Sequence, residues 1–193
     1  MAHVTQFSYP VFLDLAGVPV LVVGAGPIGV RKAEALQQAG ARVRVVATAL
    51  DEAFDRDRYD DVRERPFQKD DLDGMRLVIT ATGDAAVDAA VSAAARARGI
   101  WTNAADQPVD CEFILPSIAR SGRVTVAVST DGASPALAKA LRDRIATMVG
   151  DEVAALAEEL AEARAAVKAG GGSTEDVDWS IMIERVLGGV DTE

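Results

Sequence analysis

The chain opens with long apolar runs separated by short polar breaks, and its second half changes rhythm. Residues 18–23 read VPVLVV, a continuous apolar run of the kind that suits a strand buried on both faces of a parallel sheet. The glycine-rich stretch Gly24-Ala25-Gly26-Pro27-Ile28-Gly29 follows, then a helix over 30–39 with Gly40 as its stop. Residues 41–47 (ARVRVVA) form a second strand, completing a βαβ unit of about the usual ~30 residues. Residues 51–65 are charged and irregular, and are expected to be a surface helix or loop. A third strand is predicted over 75–82 (MRLVITAT), and an Ala-rich helix over 84–98. That helix opens on an acid, which suits its partially positive N-terminal end. Gly99 ends it, and 100–103 is another strand. Strands alternating with helices predict an α/β fold with a Rossmann-like, doubly wound parallel sheet.

Beyond residue 112 the pattern differs. Residues 113–119 and 124–130 are strand-like and joined by Arg120-Ser121-Gly122-Arg123, a β-hairpin signal. Ser134 then caps a helix with Pro135 in its first position. The apolar stripe of that helix is Leu137, Leu141, Ile145 and Met148, and Gly150 and Asp151 are expected to break it. A second helix over 152–168 carries Val153, Leu156, Ala157, Leu160 and Val167 on one side. Residues 169–173 are a flexible break, 179–187 a short final helix, and the tail is expected to fray. Three regions follow: a dinucleotide-binding domain over 1–112, a dimerisation region of hairpin plus helix over 113–150, and a C-terminal helical region over 151–193. A lone hairpin is marginal in water, and these helices carry more apolar stripe than a small appendage buries on itself. The expectation is a homodimer with this region at its interface.

Composition sharpens the picture. Apolar residues make up 49% of the 193 residues and aromatics 5%, so the core is built from Ala, Val, Leu and Ile. A net charge of −10 argues against nucleic acid as a partner. The charge is uneven. Residues 151–193 hold eleven acids against three bases, whereas 111–149 hold three acids against five bases. The single cysteine, Cys111, forms no internal disulfide and suggests a reducing, cytoplasmic setting. His3 is the one histidine, so no histidine-based metal site or catalytic triad is expected. Residues 1–15 lack the pattern of a signal peptide, and no apolar stretch approaches the ~18 residues of a membrane span.

Gly24, Gly26 and Gly29 match GxGxxG between a buried strand and a helix, the setting in which that pattern binds a dinucleotide. Gly24 allows the tight turn, Gly26 lets backbone approach a pyrophosphate, and Gly29 allows close helix–strand packing. The backbone of Pro27 and Ile28 completes the cradle at the helix N-terminus. An acid on the adenosine ribose is absent from the strand end at 45–48, so NAD and NADP stay open, and Arg42 and Arg44 alternate on that strand. Thr82 and Gly83 end the next strand at the same sheet edge and are candidate cofactor contacts, with an ordinary turn as the competing reading. Asn103 and Asp106 lie at that edge too. Asp106 fits either proton transfer beside a nicotinamide or a turn.

Five segments, taken together, resemble the precorrin-2 dehydrogenases, the family that forms the N-terminal part of siroheme synthases. They are YPVFL at 9–13, VVGAGPIGVRKA at 22–33, NAADQP at 103–108, FILPS at 113–117 and VAVSTDGASPALA at 126–138. The resemblance implies an NAD-dependent oxidation of precorrin-2 to sirohydrochlorin, with NADP not excluded, and Asp106 as the key catalytic aspartate. It implies Gly24, Gly26, Pro27, Ile28, Gly29, Thr82, Gly83 and Asn103 as cofactor contacts. Ser129, Gly132 and Ser134 match the segment beside the tetrapyrrole cleft, and Arg120 and Lys139 are candidates to neutralise substrate carboxylates, with Arg123 and Arg142 beside them. It also implies a homodimer, and no resident metal. Two departures stand out: Gly29 replaces the family's common alanine, and Asp131 stands where relatives often have glycine. A second reading adds insertion of Fe²⁺ into sirohydrochlorin. A third, a dinucleotide-sensing regulatory module, explains the first half of the chain but not the segments at 103–138.

Overall fold

The structure, a computed structural model, describes residue 7 and residues 9–188. His3 and the expected frayed tail beyond residue 188 lie outside the described residues. The chain forms two compact units, one ending at Ile114 and the other starting at Leu115.

The first unit runs β1 (Pro19–Ala25), α1 (Pro27–Gln38), β2 (Arg42–Leu50), β3 (Asp61–Glu64), β4 (Leu77–Thr80), α2 (Ala85–Arg96) and β5 (Trp101–Ala104). The five strands are parallel in the order β3-β2-β1-β4-β5. The order reverses beside β1, and in such sheets ligands bind beyond the carboxyl ends of the strands at that point. β1 explains why its sequence is an unbroken apolar run. Val20 and Val22 join one core with Val30, Ala33 and Leu36 of α1. Leu21 and Val23 join the opposite core with Val91 and Ala95 of α2. Val20, Leu21 and Val22 are fully buried, each worth roughly 1.5–3 kcal/mol of transfer free energy.

β3 corrects the expectation of an irregular surface segment over 51–65. Its register pairs Arg44 with Asp61 and Ala47 with Glu64. Only Val62 reaches a core, so hydrophobic periodicity carried no signal. Its charges are instead matched by partners. Asp61 accepts from Arg44 and Arg63 at 2.5 and 2.9 Å. Arg63 and Arg65 donate at 2.7 and 2.6 Å to Asp71, whose side chain is fully buried.

β2 also runs further than its apolar stretch. Val23 pairs with Val46, but Ala25 pairs with Leu50, so two extra residues are looped into β2 between those positions. Asp51 follows directly, and its amide donates to the carbonyl of Ala25 at 2.9 Å.

The second unit holds the antiparallel pair β6 (Ser117–Ser121) and β7 (Val124–Val128), then α3 (Pro135–Met148), α4 (Asp151–Ala169) and α5 (Ser180–Leu187). The hairpin is present, with its first strand starting at Ser117 rather than 113. Ser134 caps α3 by accepting from the Leu137 amide at 3.1 Å. Asp151 is helical rather than a breaker: Gly150, extended at ψ −165°, is the N-cap of α4. On α3 only Ala138 is buried. Leu137, Leu141 and Met148 stay 41–58% exposed.

Candidate functional site

The glycine turn brings β1 into α1 at the sheet's carboxyl edge. Gly24 has φ +102°, and a β-carbon there would lie 2.3 Å from the carbonyl oxygen of Ala81. Glycine is therefore required both by conformation and by the closeness of β4. Gly26 differs: a β-carbon there would meet nothing within 4 Å. Its open side and its extended backbone place it as the N-cap of α1, with Pro27 in the first turn and no side-chain cap. No acid occupies that first turn, so its free amides and partial positive charge are left for an anion.

An open cleft of about 400 Å³ lies beside this turn. Three loops line it: Gly26, Pro27 and Ile28 from the glycine turn; Ala81, Thr82, Gly83, Ala85 and Asp88 from the end of β4 and the start of α2; and Ala105, Asp106 and Gln107 after β5. The Ala81 amide donates to Val23 O at 2.8 Å and the Ala105 amide to Thr80 O at 2.9 Å, so each loop is tied to the neighbouring strand. Of the residues expected from sequence, Gly26, Pro27, Ile28, Thr82, Gly83 and Asp106 meet in this cleft. Gly24 and Gly29 shape the turn behind it.

Asp106 is exposed and adopts φ +60°, a left-handed conformation that Asp and Asn tolerate better than most side chains. Lys32, half-buried on α1, lies within electrostatic reach of it. Burial and the neighbouring Arg31 pull the Lys32 ammonium below its usual range, and Asp106 and Cys111 partly restore it. Cys111 is folded under the same loop. Its thiol meets the Ala104 amide at 3.2 Å, and burial pushes its pKa up, so it is a poor nucleophile.

Asn103 has a different place from the one expected. It is buried at 7% exposure, and its amide donates to Phe113 O at 2.9 Å, holding the segment after Asp106 rather than lining the cleft. Asp88 went unnoticed in the sequence. It is 2% exposed within an Ala-rich helix, and a periodicity reading places no acid there. Gln107 was likewise passed over.

The remaining candidates belong to the second unit. Asp131 and Gly132 take φ +51° and +78°, forming a tight turn before α3. The Asp131 amide donates to Ser129 Oγ at 3.2 Å, and Ser134 Oγ is occupied as the α3 cap. Thr130 Oγ1 accepts from the Ser134 amide at 3.1 Å. Position 131 is thus left-handed, a conformation that favours glycine and that Asp tolerates. Arg123 pairs with Glu158 and Arg142 with Asp143, both at 2.7 Å. Arg120 and Lys139 are exposed and make no ion pair among the described residues.

A family model described as "Putative NAD(P)-binding" matches residues 11–117. The chain belongs to that family. A second model, "Sirohaem biosynthesis protein central", matches residues 122–148. Among curated relatives, the siroheme synthase of Methylococcus capsulatus is 44% identical over 163 residues, covering 82% of this chain and 34% of that protein. That of Thiobacillus denitrificans is 42% identical over 194 residues, covering 95% and 40%. The chain thus spans 34–40% of the length of these relatives. A solved structure titled "SirC, precorrin-2 dehydrogenase" is 28% identical, with a TM-score of 0.70 over 95% of this chain and 90% of that one. The resemblance read from five short segments is borne out, and so is the α/β architecture. A nicotinamide dinucleotide fits the family and the cradle alike. Among the described residues no cluster of His, Cys, Asp and Glu could hold a metal ion, and no helix is long and apolar enough to cross a membrane.

Proposed function

We propose that this chain is a precorrin-2 dehydrogenase of siroheme biosynthesis, working in the cytoplasm as a homodimer with NAD as cofactor. The observation that carries this reading is the meeting of Asp106 with the glycine turn in one open cleft. The uncapped first turn of α1 would hold the pyrophosphate of a dinucleotide, which would supply the hydride acceptor. The chain's own contribution is a base: the exposed Asp106 carboxylate takes the proton that leaves the tetrapyrrole as it is oxidised. Gly24, Gly26, Pro27, Ile28 and Gly29 hold the pyrophosphate, and Thr82 and Gly83 border the cofactor. Asn103 acts indirectly, by bracing the chain that follows Asp106. Ser129, Gly132, Arg120 and Lys139 are the proposed contacts to the carboxylate-bearing substrate. Arg120 and Lys139 suit that role best, since their charges are uncommitted.

Asp51 supports NAD over NADP. An acid at the end of the second strand favours a ribose 2′-hydroxyl over a 2′-phosphate. The two residues looped into β2 bring Asp51 to that position, bonded to Ala25 of the glycine turn. Arg42 and Arg44 do not compete for a phosphate. Arg42 donates to Gly17 O, and Arg44 is engaged by Asp61 and the Asp71 carbonyl.

The exposed stripe of α3 supports the homodimer. Purified protein given precorrin-2 and NAD⁺ is expected to generate NADH absorbance at a rate proportional to enzyme. Folded protein that binds NAD⁺ and yields none overturns the reading.

A further inference from the structure

Asp88 is a buried carboxylate without a cation. It lines the cleft, is 2% exposed, and forms no ion pair among the described residues. Its partners are neutral donors. The Thr82 amide and hydroxyl reach Oδ1 at 3.2 and 2.8 Å, and the Gln107 side-chain amide reaches Oδ2 at 3.3 Å. Three donors thus converge on its two oxygens. The first turn of α2 adds a partial positive charge, short of a full counter-ion.

The polarity of the whole cleft follows. At one wall the bare first turn of α1 suits an anion. Elsewhere the lining holds two carboxylates, Asp88 and Asp106, and no lysine or arginine. Lys32 is within electrostatic reach of Asp106 but is not part of the lining. The lining thus combines one anion-suited turn with two carboxylates in a largely apolar surround. The nicotinamide ring is cationic when oxidised and neutral when reduced, so this cleft distinguishes the two states. A buried charge acts through a lower effective dielectric than a surface one and is less screened by salt.

We propose that Asp88 is a specificity-determining residue that makes the protein favour the oxidised over the reduced dinucleotide, easing release of the reduced form. The inference rests on the dinucleotide reading above but not on the identity of the substrate.

The test is equilibrium binding of NAD⁺ and NADH to the full chain by calorimetry, without tetrapyrrole. Asp88→Asn keeps the shape and an acceptor for Thr82 while removing the charge. Its NAD⁺ affinity relative to NADH is expected to fall by about threefold or more. An unchanged ratio in folded Asp88→Asn overturns the proposal and leaves the dinucleotide reading intact. If neither cofactor binds the unmodified protein, the dinucleotide reading itself fails, and this one with it. Should Asp88→Asn not fold, Asp88→Ser, smaller and also uncharged, carries the same comparison. Thermal shifts of the unmodified protein give an independent check: NAD⁺ is expected to raise the melting temperature more than NADH at equal concentration, and the reverse order overturns the proposal.

Discussion

A β-carbon placed on Gly29 would lie 2.1 Å from the carbonyl oxygen of Gly24. Gly29 therefore packs directly on the Gly24 backbone, and the turn closes only because Gly29 lacks a side chain. The fingerprint at large tolerates alanine at this position, and alanine is common in the family this chain resembles. Here it would force the turn open. Gly29→Ala is expected to cost about 1–3 kcal/mol of stability and to weaken dinucleotide binding in proportion. Urea unfolding with and without NAD⁺ measures both effects, and wild-type stability in this variant would mean that the turn relaxes freely.

Asp106→Asn is the cleanest probe of the base. Asparagine accepts the φ of +60° held by Asp106, so the backbone is preserved while the proton acceptor is lost. A fall of roughly 10²–10⁴-fold in the oxidation rate is expected, with NAD⁺ affinity nearly unchanged. Loss of binding instead would reassign the residue to cofactor recognition.

Asp51→Ser removes the acid that follows β2. The ratio of NAD⁺ to NADP⁺ affinity is expected to fall by at least about tenfold, the equivalent of one charge-assisted hydrogen bond. If the unmodified protein already binds both forms equally, Asp51 does not select the cofactor.

These three residues show what could be read in advance and what could not. The turn at Gly24 to Gly29 and the strand–helix alternation were legible because each rests on local pattern. The place of Asp106 beside the cleft was legible through its segment. The position of Asp51 at the sheet edge was not, because the apolar run stops at residue 47 and only the irregular register between β1 and β2 carries the strand on to Leu50. β3 was missed because its side chains are satisfied by ion pairs rather than by a core. Asp88 was missed because a buried acid in an alanine helix breaks no visible rule.

The ion-pair cluster at β3 sets an acid limit on stability. Arg65, the Gln68 amide and Arg63 hold the Asp71 carboxyl down at about 2, against the upward push of burial. A lowered carboxylate pKa stabilises the fold at pH values above the unfolded-state pKa, roughly 4. That contribution fades as pH falls from there through the folded value. It amounts to about 2 kcal/mol at neutral pH. Asp71→Asn is expected to lose it at pH 7 and to show a flatter stability profile between pH 5 and 2 on the order of that difference. Unfolding curves across that range would reveal a parallel profile if the cluster were unimportant.

Leu137→Asp and Leu141→Asp place charges on the exposed stripe of α3. Sedimentation analysis is expected to show a dimer for the unmodified chain and a shift to monomer for the double variant. An unmodified chain that sediments as a monomer at micromolar concentration removes the proposed interface.

β1 is a party wall. Val20 and Val22 serve one core and Leu21 and Val23 the other, so none of these four positions faces water, and both cores hang on a single backbone. The amides of Val20 to Val23 should consequently be among the slowest in the molecule to exchange with deuterium. The glycine turn, hung from the end of that wall, inherits its stillness. Such support from beneath is expected to leave the binding edge preformed before any ligand arrives to order it.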